Sequence, residues 1–95
     1  MTKADIIKEI SETTGVNRKD VSATVEAFME VVKRNMLNEE SVYLRGFGSF
    51  VVKHRKAKTA RNISKNTSIV IDAHNYPGFK PSKCFAEEMK MRSIK

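Results

Sequence analysis

The sequence is poor in cysteine, proline and tryptophan, and these scarcities narrow the class of protein. Its 95 residues include one Cys, two Pro and no Trp. The single cysteine, Cys84, excludes an intrachain disulfide framework and indicates a reducing compartment; beside Phe85 it is predicted to be a small buried residue. No apolar run has the length of a membrane-spanning helix or a secretion signal. We therefore expect an intracellular protein with one small core.

Acidic residues are missing from the middle of the chain. Residues 41–71 hold seven Lys or Arg and no Asp or Glu. The net charges of the two flanking segments cancel each other, so this stretch accounts for the formal net charge of +7. Such a concentration predicts a polyanionic partner, either nucleic acid or an anionic membrane surface. A membrane-binding helix needs a broad apolar face, which this segment does not have. The charge pattern therefore favours nucleic acid, and no membrane partner is expected.

Groupings of catalytic or metal-binding side chains are also absent from the sequence pattern. A nuclease would be the natural enzyme for this charge, but metal-dependent phosphodiester chemistry needs clustered carboxylates, and Asp72 stands alone beyond the basic stretch. His54 and His74 have neither a metal-ligand spacing nor a nucleophile to activate. We expect no enzyme activity, no cofactor and no metal.

Two helices are predicted at the beginning of the chain. Thr2 and Asp5 form a capping-box pattern, and apolar residues then recur at helical spacing until Gly15. Asn17 and Asp20 start a second helix that is predicted to reach about Asn38. Its apolar stripe predicts core positions at Val21, Val25, Phe28, Met29, Val32 and Met36.

From Ser41 the hydrophobic period changes to two, which indicates strands. "RGFGSF" predicts a hairpin that enters a longer strand, and "TSIVIDAH" a return strand, so that the basic stretch is the end of a β-ribbon. Pro77 and Pro81 are expected to interrupt the chain, and Ser82 to cap a short last helix. The core is predicted to contain Phe47, Phe50, Phe79 and Phe85.

The ribbon offers few residues to a core, so the rest of the chain has to supply one. Cores of this size are marginal, and an isolated two-stranded ribbon is marginal too. A dimer that merges two half-cores would remedy the first weakness. We therefore expect an obligate dimer whose ribbon tips are ordered by bound nucleic acid.

The residues "RGFGSFVVKHRKAKTARN" and "FKPSKCF" resemble the HU and integration host factor family of bacterial DNA-bending proteins. The resemblance covers essentially the whole chain. It implies an α+β fold: an intertwined dimer with an N-terminal helix pair, a three-stranded antiparallel sheet with a long β-ribbon arm, and a short C-terminal helix. One domain would span residues 1–95, with a helical dimerisation part (1–40), a sheet saddle (41–80) whose arm covers about 53–75, and the helix (81–95).

The same resemblance implies a cytoplasmic, nucleoid-associated protein that binds duplex DNA through the minor groove and bends it. Sequence preference is expected to be weak, since the minor groove distinguishes little beyond A·T from G·C. The alternative within the family is a sequence-specific factor akin to integration host factor, working as a heterodimer with a paralogue. An RNA or single-strand binder would display exposed aromatic platforms, so RNA is expected only as a secondary ligand.

The tip of the arm departs from the family pattern. The family typically has Arg-Asn-Pro followed by Gly, and here Ile63 and Asn66 hold the places of the proline and the glycine. Asn tolerates a positive φ, and Ile is one of the apolar side chains that insert between base steps. Ile63 is therefore the predicted intercalating wedge.

Predicted DNA-binding residues fall into the arm, the saddle hairpin and the flanks. Cations on an extended scaffold can lie along phosphates, and the resemblance implies that backbone N–H groups at the glycines of the saddle hairpin bind phosphate. Lys53 and Arg55 share one strand face and Lys56 and Lys58 the other, so a kink or twist is needed before all four address one duplex. The full set is Lys3, Arg45, Gly46, Gly48, Ser49, Lys53, Arg55, Lys56, Lys58, Arg61, Asn62, Ile63, Ser64, Lys65, Asn66, Lys80 and Lys83.

Overall fold

The computed structural model of the chain describes residues 1–62 and 67–93, and for residues 58–62 and 67–70 it describes the backbone alone. The contacts between residues divide the chain into two compact units, Met1–Asn35 and Met36–Lys95. The first is helical and the second contains all the described strands and a third helix.

Helix α1 and all but the end of helix α2 form the first unit, and both helices begin at the predicted caps. Helix α1 spans Lys3–Thr14; the Thr2 hydroxyl accepts from the Asp5 backbone, the Asp5 carboxylate accepts from the Thr2 backbone, and Gly15 ends the helix at φ +78°. Helix α2 spans Arg18–Leu37, and the Asn17 side chain accepts from the Asp20 N–H at 2.9 Å.

Three antiparallel strands form the main sheet of the second unit. Strand β1 spans Val42–Leu44 and β2 spans Gly48–Arg55. The turn between them holds Gly46 at φ +81°, and the Phe47 N–H donates to the Leu44 carbonyl at 3.0 Å, as in a type II turn. The predicted hairpin is confirmed.

The ribbon continues beyond the sheet as a second pair of strands. Strand β3 spans Lys58–Asn62 and pairs with β4, Thr67–Ile71. The chain then returns along β2 as strand β5, His74–Pro81, and the sheet order is β1-β2-β5. Arg55 pairs with His74 and Lys58 pairs with Ile71. Two residues therefore separate these pairs on each side of the ribbon, 56–57 and 72–73, and the pairing register is the same before and after them. These residues interrupt the pairing, and the kink or twist expected from the charge alternation stays a prediction.

The expected interruption at Pro77 is wrong, because Pro77 pairs with Val52 inside β5. Pro81 is the last residue of β5 and directly precedes Ser82, so the strand does end at Pro81. An edge strand tolerates proline because the missing N–H would have faced away from its one neighbour.

Helix α3, Lys83–Ser93, closes the described chain and begins at Ser82 as predicted. The Ser82 hydroxyl accepts from the Phe85 N–H at 3.2 Å, and the Ser82 N–H donates to the Phe47 carbonyl at 2.9 Å. Cys84 is exposed, so its predicted burial is wrong. Neighbouring residues on a helix point in different directions, and Phe85 is the one that packs inward.

The predicted aromatic core exists as a cluster below the sheet. The Phe47 and Phe79 rings lie 5.3 Å apart, Phe50 and Phe79 5.2 Å, and Phe47 and Phe85 5.7 Å. These centroid distances are typical of favourable aromatic pairs. Phe47 nevertheless remains 47% exposed and Phe79 40% in the single chain.

The hydrophobic core of the single chain is small. Among the described residues, Val21 is the one fully buried hydrophobic side chain. Phe28 and Met29, both predicted as core, are 45% and 42% exposed. None of the described helices combines the length and the apolar character that crossing a bilayer requires.

Candidate nucleic-acid interface

The main sheet has two chemically different faces because side chains alternate along each strand. Cross-strand pairing places Phe50 opposite Phe79, and this apolar face carries the aromatic cluster. Pairing of Tyr43 with Ser49, Ser49 with Lys80, Lys53 with Tyr76 and Arg55 with His74 puts the remaining side chains on the opposite face. We call this second surface the basic face; its members are Tyr43, Ser49, Val51, Lys53, Arg55, His74, Tyr76, Gly78 and Lys80.

Two cations of the basic face lie against neighbours on β5. The Arg55 guanidinium lies 4.8 Å from the centroid of the Tyr76 ring, a cation–π contact. The aliphatic stem of Lys53 crosses Gly78, where a Cβ atom would lie 2.8 Å from Lys53 Cε. The absence of a side chain at Gly78 therefore lets Lys53 lie across the strand and present its ammonium group at the surface.

Close packing at the hairpin makes Gly48 necessary for a structural reason. A Cβ atom there would lie 2.7 Å from the Lys80 carbonyl oxygen and 2.6 Å from Phe79 Cζ. Real Cβ atoms essentially never come this close to another heavy atom. Gly48 is buried, while Arg45 and Gly46 are exposed in the turn. Among the predicted DNA-binding residues of the hairpin, Arg45 and Gly46 are therefore the exposed ones.

The structure brings together one part of the predicted set. Ser49, Lys53, Arg55 and Lys80 share the basic face, and all except the half-buried Ser49 are exposed. Lys56 is exposed at the break between β2 and β3. The set of DNA-binding residues predicted from the sequence omitted the three aromatic members of this face, Tyr43, His74 and Tyr76. The alternation of Val42, Tyr43 and Leu44 was a signal for the first, since it turns Tyr43, 75% exposed, away from the core.

Other predicted residues lie elsewhere. Lys83 is exposed at the first position of α3, and Lys3 pairs with Glu26 inside the helical unit. Lys58, Arg61 and Asn62 lie on β3, where the backbone alone is described. Four residues of the predicted arm tip lie outside the described residues: Ile63, Ser64, Lys65 and Asn66.

Metal binding finds no support among the described residues, and the lowered pKa of Asp5 does not concern a member of the basic face. Among the residues that the structure describes, no group of three or more His, Cys, Asp and Glu side chains could hold a metal ion. Hydrogen bonds from the backbone and then the hydroxyl of Thr2 lower the pKa of Asp5, and this effect belongs to the helix cap. The chemistry of the basic face is that of fixed cations beside aromatic rings, which suits a polyanion.

Comparisons with known proteins point in the same direction. The family model described as bacterial DNA-binding protein matches residues 1–90. The chain is 39% identical over 90 residues to the DNA-binding protein HU of Thermus thermophilus, covering 95% of this chain and 93% of that protein. It is 31% identical over 94 residues to the integration host factor subunit alpha of an Anaeromyxobacter species, covering 99% and 95%.

A solved structure shares the fold. The HU protein of the Anabaena HU–DNA cocrystal structure superposes with a TM-score of 0.87 at 31% identity, over 94% of this chain and 97% of that chain. The α+β architecture of helices, three-stranded sheet and ribbon is therefore confirmed at the level of the chain.

Proposed function

The chain belongs to the bacterial DNA-binding protein family, with HU and integration host factor among its relatives, and we propose that it is an architectural protein that binds and bends duplex DNA. Binding is largely independent of sequence and uses the minor groove. The observation that carries the proposal is the basic face, where Lys53, Arg55 and Lys80 share one side of the sheet at the root of a ribbon without acidic residues from 41 to 71.

A dimer is part of this proposal. The apolar stripe of α2 remains open at Phe28 and Met29, and an open groove of about 470 Å³ lies beside α3 between Phe79, Phe85 and Met89. Soluble monomers rarely leave such surfaces uncovered. A second copy of the chain would cover them, and two chains would supply two ribbons to one duplex. A paralogous partner would do the same in a heterodimer.

Ile63 is the proposed wedge at the end of each ribbon, and Arg61, Asn62, Ser64, Lys65 and Asn66 its flanking contacts. Inserting an apolar side chain unstacks a base step at a cost of a few kcal/mol, which is offset when bent DNA reaches more of the protein. Flexible or nicked DNA is bent more easily, so the wedge predicts a preference for such DNA. Ile63→Ala removes no charge and is expected to keep the salt dependence of binding while losing that preference.

The proposed cellular setting is the nucleoid of a bacterial cytoplasm, and the proposed role is organisation of DNA without catalysis. The domain boundaries of the sequence interpretation form part of the same proposal: a dimerising segment 1–40, a saddle 41–80 with its arm at about 53–75, and a terminal helix 81–95. The remaining predicted contacts, Lys3, Arg45, Gly46, Lys56, Lys58 and Lys83, are proposed to bind phosphates of the same duplex.

Equilibrium binding to matched linear, nicked and four-way-junction duplexes, each in several sequences, tests this function. A strong dependence on DNA structure with a weak dependence on sequence is expected. The reverse result would identify a site-specific factor like integration host factor. Tighter binding to RNA or single strands at the same salt concentration, or cleavage of the duplex with magnesium present, would contradict the proposal.

A further inference from the structure

Strand β1 lies beside the base of the ribbon but ends before it reaches Lys53 and Arg55 of the basic face. Strand β1 pairs only with Gly48–Phe50, so residues 51–55 of β2 have β5 as their one strand partner. A two-stranded ribbon is weakly held by itself. The direction in which Lys53 and Arg55 point therefore depends on what else contacts the ribbon at its base.

The loop between α2 and β1 provides such contacts. The Ser41 hydroxyl accepts from the Val52 N–H at 3.2 Å, at the first unpaired donor beyond the end of β1. Two residues earlier, the Glu39 carboxylate accepts from the Asn75 side-chain N–H at 2.8 Å. The loop thus contacts both strands of the ribbon, where β1 no longer does.

A chain of hydrogen bonds extends from Glu39 through Asn75 to His54. A carboxylate only accepts, so Asn75 must present its amide N–H to Glu39, which leaves the amide oxygen for His54. The His54 Nδ1 atom lies 2.9 Å from that oxygen and therefore carries a hydrogen. Three elements are joined in this way: the loop after α2, β5 and β2.

Glu39 is itself held in an uncommon conformation. It has φ +64°, and among the described residues it is the one non-glycine residue with a positive φ. Its N–H donates to the Met36 carbonyl at 3.0 Å and so closes the end of α2. The left-handed conformation is costly for a residue with a Cβ atom and persists where surrounding contacts determine it. Glu39 therefore has a fixed place from which to hold Asn75.

We propose that the hydrogen-bond chain Glu39–Asn75–His54 is a strut that sets the direction of the DNA-binding ribbon, with Glu39 and Asn75 as its positioning residues. The opposite face of the same ribbon segment is fixed by the contact between Arg55 and Tyr76. Together these contacts hold both faces of the ribbon base and keep its cations aligned with Lys80 on the sheet. This inference rests on the proposed function, because its consequence is measured on DNA.

Two adjacent carboxylates offer a matched test. Glu39→Ala and Glu40→Ala change the net charge equally at neighbouring positions, but the contact to Asn75 belongs to Glu39. Relative to Glu40→Ala, Glu39→Ala is expected to bind a duplex about two- to tenfold more weakly, the range for one hydrogen bond. Glu39→Gln keeps an acceptor for Asn75 and is expected to bind like Glu40→Gln. Adding Asn75→Ala to Glu39→Ala is expected to cost little more, because both break one chain.

Amide hydrogen exchange of the free protein provides a second readout that needs no DNA. Protection of residues 51–55 is expected to fall in Glu39→Ala and to remain in Glu40→Ala. Equal affinity and equal protection in the two variants would overturn the strut. Lost protection with equal affinity would reduce it to a stabilising contact and overturn the positioning role.

The same measurements separate this inference from the proposed function. If the wild-type protein fails to bind duplex DNA, the proposed function is wrong and the positioning role falls with it, whatever the exchange data show. If wild type binds and the two variants match, the function stands and the strut is wrong. Should Glu39→Ala not fold, Asn75→Ala with Asn38→Ala as its control makes the same comparison.

Discussion

Removing Lys53 is expected to change the salt dependence of DNA binding by a calculable amount. The Lys53 ammonium group is exposed on the basic face, and its stem is laid across Gly78. Each phosphate that a cation neutralises adds about −0.9 to the slope of log affinity against log salt. A dimer has two copies of Lys53, so Lys53→Ala is expected to reduce the slope by about 1.8.

The corresponding effect on affinity is large enough to measure. Between about 50 mM and 200 mM salt, a slope smaller by about 1.8 means that the variant loses roughly tenfold less affinity than wild type. Fluorescence anisotropy of a labelled duplex across that salt range measures both slopes. The loss should be similar for all sequences, because phosphate contacts carry no sequence information.

Lys33→Ala is the control for this prediction. Lys33 lies on α2, and its removal lowers the net charge by the same amount as removal of Lys53. Its slope is expected to remain close to that of wild type. Equal slopes for the two variants would show that net charge, not the basic face, determines binding and would refute the reasoning.

Three further outcomes are expected of the protein without DNA. Gly48→Ala should lower the free energy of unfolding by about 1–3 kcal/mol in urea denaturation, because the new Cβ meets the Lys80 carbonyl oxygen and the Phe79 ring; unchanged stability would contradict that packing. Thr2 lowers the pKa of Asp5, so ionised Asp5 stabilises the folded state above its unfolded pKa, near 3.8, and this contribution disappears as the pH falls through the folded pKa. Asp5→Asn should therefore be less stable than wild type at neutral pH and equally stable in strong acid, and a pH-independent difference would contradict the cap. Thermal unfolding midpoints should rise with protein concentration, whereas a constant midpoint would contradict the dimer.

Elements fixed by local chemistry could be predicted from the sequence. The caps at Thr2, Asn17 and Ser82 are confirmed because each depends on hydrogen bonds within three residues along the chain. The hairpin at Gly46 is confirmed for a similar reason, since the turn demands a positive φ that glycine adopts readily.

Features that depend on contacts between residues far apart in the sequence could not be predicted from the sequence. The expected interruption at Pro77 ignored that β5 lies at an edge of the sheet, which is a property of strand order. Burial of Cys84 was expected from its neighbour Phe85, but helix geometry separates their directions. Glu39 and Asn75 are 36 residues apart in sequence, and no pattern of residue types predicts their contact.

The sequence predicted the charge of the candidate site, but it did not predict all the residues that share its surface. An acid-free segment identifies the polyanion-binding part of the chain without any structure. Tyr43 and Tyr76 join the basic face only once the register of β1, β2 and β5 is known. Burial of Gly48 likewise separates it from the exposed turn residues Arg45 and Gly46.

The end-to-end distance of a short duplex, measured by fluorescence energy transfer at saturating protein, tests most directly whether the protein bends DNA. The two ends of the duplex carry a donor and an acceptor dye, and the mass of the complex is measured on the same sample. We predict a shorter distance than in free DNA, with two chains bound to each duplex. An unchanged distance at saturation, or a complex with a single chain, would contradict DNA bending by a dimer.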